Sequence, residues 1–245
     1  IIDGVRTPMA KAGTALKDVA ADDLGAPVVR EVFERSGLKP EEVDEVLVGN
    51  VAQPAKAANI ARVIALKAGL SVFTPAYTVH RNCASGMQAI TSGALKIASG
   101  YSSIVLAAGV ESMSNIPLIF NKEYTELMNR LARSKSGLER LKTLLSFRPR
   151  MLKPEIGLVQ GLTDPISGMI MGMTAENLAR EFHIPREEQD RFALESHNRA
   201  VRAWEEGIFQ EELIPIPTDA SYETLLDKDI GPREGQTLEK LEKLK

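Results

Sequence analysis

Cysteine occurs once in the 245 residues, tryptophan once and histidine three times. A disulfide needs two cysteines and a cysteine-based zinc site needs more, so both are excluded and no metal site is expected. No run approaches the roughly 18 apolar residues of a membrane span. The first residues carry neither a basic n-region nor an apolar h-region, so no signal peptide is visible. We expect a cytoplasmic protein, or a mitochondrial one in a eukaryote. Phosphate-loop and dinucleotide fingerprints are missing, so no nucleotide cofactor is implied. Neither sign of charge dominates: 30 basic residues face 33 acidic ones, a net charge of −3. What remains is an ordinary globular composition, 44% hydrophobic, with enough apolar material to offset ordering entropy. The length suggests one large domain, or a domain with a sizeable insertion.

The chain opens inside an apolar run, Ile1-Ile2, followed by the turn-like Asp3-Gly4; a strand beginning there looks cut, so upstream residues are expected. Asp22-Asp23 offers N-caps for a helix carrying Leu24, Val28, Val29, Val32 and Phe33, with Gly37 as its stop. Val46–Val48 reads as a buried strand, Ile60 to Leu66 as a second helix ending at Gly69, and Ala76 to Arg81 as another strand. A small-residue helix from about Ala84 to Ser99 follows, then a strand over Ile104–Ala108. Strands alternating with helices in this way imply βαβ units and a mostly parallel sheet.

Beyond Pro117 the pattern changes. Between 130 and 153 there are eight basic residues (Arg130, Arg133, Lys135, Arg140, Lys142, Arg148, Arg150, Lys153) and one acid, Glu139, a net +7 that leaves −10 on the rest. Leu127, Met128 and Leu131, then Leu138, Leu141, Leu144 and Leu145, recur at helical spacing, so two amphipathic helices broken at Ser136-Gly137 are predicted. Helices from Thr174 to Phe182 and from Pro185 to Glu206 follow, then an extended piece over Leu213–Pro217 and a helix beginning near Leu238. There is no internal repeat and no low-complexity tract.

Cys83 falls where a buried strand meets the first turn of a helix. Unpaired amides and the positive end of the helix dipole stabilise a thiolate there, and the same amides can serve an oxyanion. Ser85 and Gly86 keep its surroundings small. Position alone fits an inert, buried cysteine at least as well.

The motif around it is more specific. Asn82-Cys83-Ala84-Ser85-Gly86-Met87-Gln88-Ala89 closely resembles the nucleophile segment of thiolases, the acyl-CoA acetyltransferases. Asp3-Gly4-Val5-Arg6-Thr7-Pro8 is similar to their opening strand and turn. Val48-Gly49-Asn50-Val51 and Asn59-Ile60-Ala61-Arg62 resemble their second block, and Ala107-Ala108-Gly109-Val110-Glu111-Ser112-Met113-Ser114 the strand after the nucleophile helix. Met171-Gly172-Met173-Thr174-Ala175-Glu176-Asn177 and Arg186-Glu187-Glu188-Gln189-Asp190 look like the family's loop domain. The resemblance runs through nearly the whole chain in order.

It implies an α/β chain forming the N-terminal half of a layered αβαβα fold, with the cysteine helix central and a mostly helical loop domain inserted. The expected boundaries are 1–116 for the half-fold, 117–234 for the insertion and 235–245 for the start of a helix leading to a second half. The resemblance implies Cys83 as the acyl-accepting nucleophile in cleavage of a 3-ketoacyl-CoA, or in the reverse condensation. Coenzyme A would be a substrate, held in part by Met171 and Gly172, with no permanently bound cofactor. Ile170 stands where some thiolases place a histidine near the coenzyme, a departure that fits the degradative, trifunctional-enzyme β-subunit branch better than the acetoacetyl-CoA-forming one. Met169, Met171 and Met173 suit an acyl tunnel or core packing equally.

The family's activating histidine, second cysteine and Asn-held water lie in blocks this sequence does not contain. His80, His183 and His197 read instead as a strand residue facing away from Cys83, a helix-end residue and a mid-helix packing residue. We therefore expect no turnover without a C-terminal half. The nucleophile helix is apolar on more than one face, which predicts self-association and a homo-oligomer, dimer or tetramer. The 130–153 segment is either a solvated loop or coenzyme-phosphate contact, or a peripheral membrane or partner-subunit docking surface. Nucleic acid is not expected, because no aromatic residue is interleaved with its basic residues. Glu111 has no evident partner. Two rivals remain: another condensing enzyme of the superfamily, and a non-catalytic interaction subunit that keeps the fold.

Overall fold

The computed structural model describes residues 1–219 and 223–244, which form two compact units, 1–115 with 186–245 and 116–185. The first is built on a three-stranded parallel sheet of β1 (Glu45–Gly49), β2 (Ala76–Val79) and β3 (Val105–Gly109) in the order β2-β1-β3. β1 pairs Val48 with Thr78 on one side and with Ala108 on the other. The two crossovers leave β1 and β2 in opposite directions, so right-handed connections put their helices on opposite faces.

The burial pattern agrees. Val46 and Val48 face α1 (Ala21–Ser36) and α2 (Ile60–Ala68) in the main core, with Val29, Phe33, Ile60 and Ile64. Each fully buried side chain of this size contributes roughly 2 kcal/mol. Glu45, Leu47 and Gly49, on the alternate face, look toward α3 (Ser85–Ala98). Gly37 and Gly69 end α1 and α2 in the left-handed conformation that a Cβ disfavours. Asp22 and Asp23 are not caps as the sequence suggests. Ala20 holds that place, and the two carboxylates lie in the first turn, 2.5 and 2.6 Å from Lys67 Nζ on α2.

No strand forms at Ile1-Ile2, and Arg6 makes a single parallel bridge to Leu213. Its guanidinium binds Glu212 at 2.6 Å and Asp229 at 2.8 Å. These contacts fasten the later part of the chain to the first unit. The inserted unit is accordingly shorter than 117–234: α8 (Arg186–Glu205), the β6 (Ile216–Pro217) and β7 (Leu225–Leu226) pair and α9 (Leu238–Glu242) belong with the sheet.

The second unit holds α4 (Lys122–Arg133), α5 (Gly137–Leu145), α6 (Gly157–Leu162), α7 (Met171–Glu181) and the antiparallel pair β4 (Leu118–Ile119) and β5 (Glu155–Ile156). The break between α4 and α5 falls where the sequence puts it, with Ser136 Oγ accepting the Glu139 N–H. Among the described residues no helix is long and apolar enough to cross a membrane.

Candidate active site

β2 is shorter than the sequence suggests, because after Val79 the chain turns to enter α3. Asn82 takes a positive φ of 47°, a conformation asparagine tolerates better than most residues. The Ser85 hydroxyl holds the turn closed: its oxygen accepts the Arg81 N–H at 2.9 Å and donates to the Asn82 carbonyl at 2.6 Å. Cys83 lies inside that loop, two residues ahead of the first helical residue, and is exposed. The thiol is therefore not the buried one that position alone would also allow. The Arg81 guanidinium also binds Gln88 on α3, whose amide reaches Ser92 Oγ at 2.9 Å.

Glycine lets the helix start this close to the sheet. A Cβ on Gly49 would lie 2.3 Å from the Ser85 carbonyl carbon, and one on Gly109 would lie 3.1 Å from the Gly86 Cα. At the far end of α3, Lys96 Nζ pairs with Glu45 at 2.7 Å and lies over the Tyr101 ring, and the Glu45 partnership raises its pKa. The side of α3 packed on the sheet carries small residues, Ser85, Ala89 and Gly93. Its large residues point outward, with Met87 65% and Leu95 69% exposed beside Ile90 and Ile97. The expected central helix is covered on one side by the described residues.

Sequence reasoning left Glu111 without a partner. Its carboxylate accepts the Val51 N–H at 2.9 Å and Asn50 Nδ2 at 3.2 Å, contacts about 60 residues away in sequence that no local pattern announces.

The sequence profile described as "Thiolase, N-terminal domain" matches residues 1–245. The chain belongs to this thiolase family. It is 39% identical over 242 residues to a probable acetyl-CoA acyltransferase of Staphylococcus aureus, covering 98% of this chain and 57% of that protein. A 3-ketoacyl-CoA thiolase of Photorhabdus laumondii is 38% identical over 245 residues, 100% of this chain and 55% of the relative. The crystal structure of the Bacillus anthracis acetyl-CoA acetyltransferase superposes with a TM-score of 0.85 at 38% identity, covering 100% of this chain and 57% of that one. This thiolase domain thus spans a little over half the length of the relatives it matches.

Within the second unit of the thiolase domain, Met171 and Gly172 form the first turn of α7, three residues earlier than Thr174 suggests. Ile170 precedes them without a side-chain cap, and both are exposed. The Asp164–Gly168 turn leads into them: Asp164 N–H donates to the Met169 carbonyl, and Ser167 holds the Asp164 carboxyl below its ordinary range. His80 lies past the end of β2 and is exposed. His183 ends α7 with φ 53°, in the left-handed place glycine usually takes. His197 Nδ1 accepts the Arg233 N–H at 3.2 Å, joining α8 to the turn before α9. Among the described residues no histidine is hydrogen-bonded to Cys83, and no group of three or more His, Cys, Asp and Glu could hold a metal.

Proposed function

We propose that Cys83 is the acyl-accepting nucleophile of a 3-ketoacyl-CoA thiolase working in fatty-acid β-oxidation. The Cys83 thiolate attacks the 3-keto carbon, and the C2–C3 bond breaks. Acetyl-CoA leaves as its enolate and takes up a proton; the acyl group stays on sulfur until a coenzyme A thiol removes it. Met171 and Gly172 contribute to holding the coenzyme, which is a substrate, and no resident cofactor takes part. The observation that carries this reading is the exposed thiol in the turn leading into the α3 N-terminus, a turn held closed by the Ser85 hydroxyl.

The reading includes a C-terminal half that supplies the base and acid and covers the outer side of α3, and a homo-oligomer, dimer or tetramer. It also includes docking of 130–153 on an anionic surface, with the protein cytoplasmic, or mitochondrial in a eukaryote. The likeness to an acetyl-CoA acetyltransferase favours a second reading, condensation of two acetyl-CoA molecules through the same acyl-Cys83. Incubation of the full-length protein with a 3-ketoacyl-CoA, then mass spectrometry of the peptide bearing Cys83, tests both. A long acyl adduct supports thiolysis, and acetylation from acetyl-CoA alone supports condensation. An unmodified Cys83 under both conditions would leave the non-catalytic subunit as the better description.

A further inference from the structure

Asn50 is 1% exposed at the end of β1 and binds the ends of both neighbouring strands. Its N–H donates to the Val79 carbonyl at 3.1 Å, and its Nδ2 to the Val110 carbonyl at 2.8 Å and to Glu111 Oε1. Glu111 in turn accepts the N–H groups of Val51 and Ala52, the two residues that follow Asn50. Next to this pair are Gly49 and Gly109, the two residues against which the Ser85-Gly86 backbone rests. Ser85 holds the turn that contains Cys83 through Arg81 and Asn82. From Asn50 to Cys83 the path runs through backbone contacts and short hydrogen bonds, with no long side chain to absorb a displacement.

Asn50 also carries a cost. Among the described residues its Oδ1 is buried without a hydrogen-bond partner, an arrangement that disfavours folding. An aliphatic side chain of similar volume would avoid that cost but leave the Val110 carbonyl and the Glu111 carboxylate without this donor, so what the asparagine supplies is the tie between the strand ends. Departures of this kind gather at functional sites.

We propose that Asn50 and Glu111 are positioning residues for Cys83: together they lock the three strand ends into the platform that sets the thiol at the N-terminus of α3. The inference rests on the reading of Cys83 as nucleophile. Without the clamp the turn that carries the thiol drifts from the N-terminus of α3.

The test is the rate of iodoacetamide alkylation at Cys83 against pH, read on the peptide that carries it, in the full-length protein. Wild type is compared with Glu111→Gln and Asn50→Leu. Glu111→Gln changes an exposed side chain without altering its size, so it keeps the assay valid if the buried substitution fails to fold. Both variants are expected to alkylate about tenfold more slowly at neutral pH, with the midpoint of the profile about one unit higher. Turnover is expected to fall in kcat with KM for coenzyme A unchanged. Wild-type rates and midpoints in Glu111→Gln would overturn the inference, even with a lower melting temperature, because the pair would then act on stability alone. Slow alkylation of the wild-type protein, at the rate of a free thiol, would instead overturn the nucleophile reading itself.

Discussion

Gly49 and Ser85 meet backbone to backbone: a Cβ added to Gly49 would lie 2.3 Å from the Ser85 carbonyl carbon and 2.4 Å from Gly86 N. Neither neighbour is the tip of a flexible side chain, so Gly49→Ala has to push strand and helix apart. We expect it to lose about 3 kcal/mol, the upper range for overpacking, measured as a shift in denaturant midpoint. Gly109→Ala, with a closest approach of 3.1 Å, should lose less. Equal losses at the two sites would show that the start of α3 moves away from β1 freely.

The contrast between these glycines and Gly37 shows what a sequence can disclose. Gly37 follows the last apolar residue of a periodic helix, so its left-handed role is a local pattern. Gly49 stands just after the apolar run Val46–Val48, but its need to be glycine comes from Ser85, 36 positions on, and emerges only once β1 and α3 are packed. The same holds for Glu111 and its partners around Asn50. β1, α2, the α4–α5 break and the place of Cys83 before a helix were all legible, because each depends on spacing or on an adjacent motif. β2 reads too long, since no glycine or proline stops the run before Arg81 while the Asn82 turn is fixed by Ser85. The start of α7 was missed by three residues because Ile170 offers no capping side chain. The extent of the inserted unit was missed for a longer-range reason: the Arg6 contacts with Glu212 and Asp229 join opposite ends of the sequence.

Asp44, just ahead of β1, accepts the Ile104 N–H at 3.0 Å and the Ser103 N–H at 2.6 Å on the chain entering β3. The Ile104 and Ser103 amides hold its carboxyl below its ordinary 3.8. A carboxyl depressed on folding favours the native state above the unfolded value, and the advantage is lost as pH falls through the folded one. Asp44→Asn should therefore melt below wild type at neutral pH, and the two melting temperatures should converge as pH drops below 3.8. A gap that stays constant through that range would assign the difference to shape rather than charge.

The outward side of α3 leads to a solution property. Met87, Ile90, Leu95 and Ile97 are all exposed on one helix, and adjoining apolar side chains of this size mark surfaces that associate. The 245-residue chain is expected to sediment as oligomers, with Met87→Lys combined with Leu95→Glu shifting it to monomer. Lysine and glutamate are good helix formers, so the double variant should keep its helical circular dichroism. A wild-type chain sedimenting as a monomer at every concentration would refute this.

The second unit carries its own surface chemistry. Arg133, Lys135, Arg140 and Lys142 are exposed beside Leu138, Leu141, Leu144 and Leu145, which are also exposed. Of the eight basic residues from 130 to 153, only Arg150 is in an ion pair among the described residues, with Glu123 at 3.0 Å. Apart from Arg130, whose guanidinium donates to Ser146 Oγ at 3.4 Å, the others can meet an anionic layer without first giving up a partner. Each basic side chain near such a surface contributes about 1 kcal/mol. Reversing Lys135, Arg140 and Lys142 to Glu together should therefore weaken binding to phosphatidylserine vesicles by at least about a hundredfold. Leu141→Ser with Leu145→Ser should weaken it too, but with less dependence on salt, because burial of leucine is not screened. Equal binding of the wild-type protein to neutral and anionic vesicles would remove the electrostatic basis for docking. Capture of a protein subunit in place of vesicles would assign the same surface to a partner.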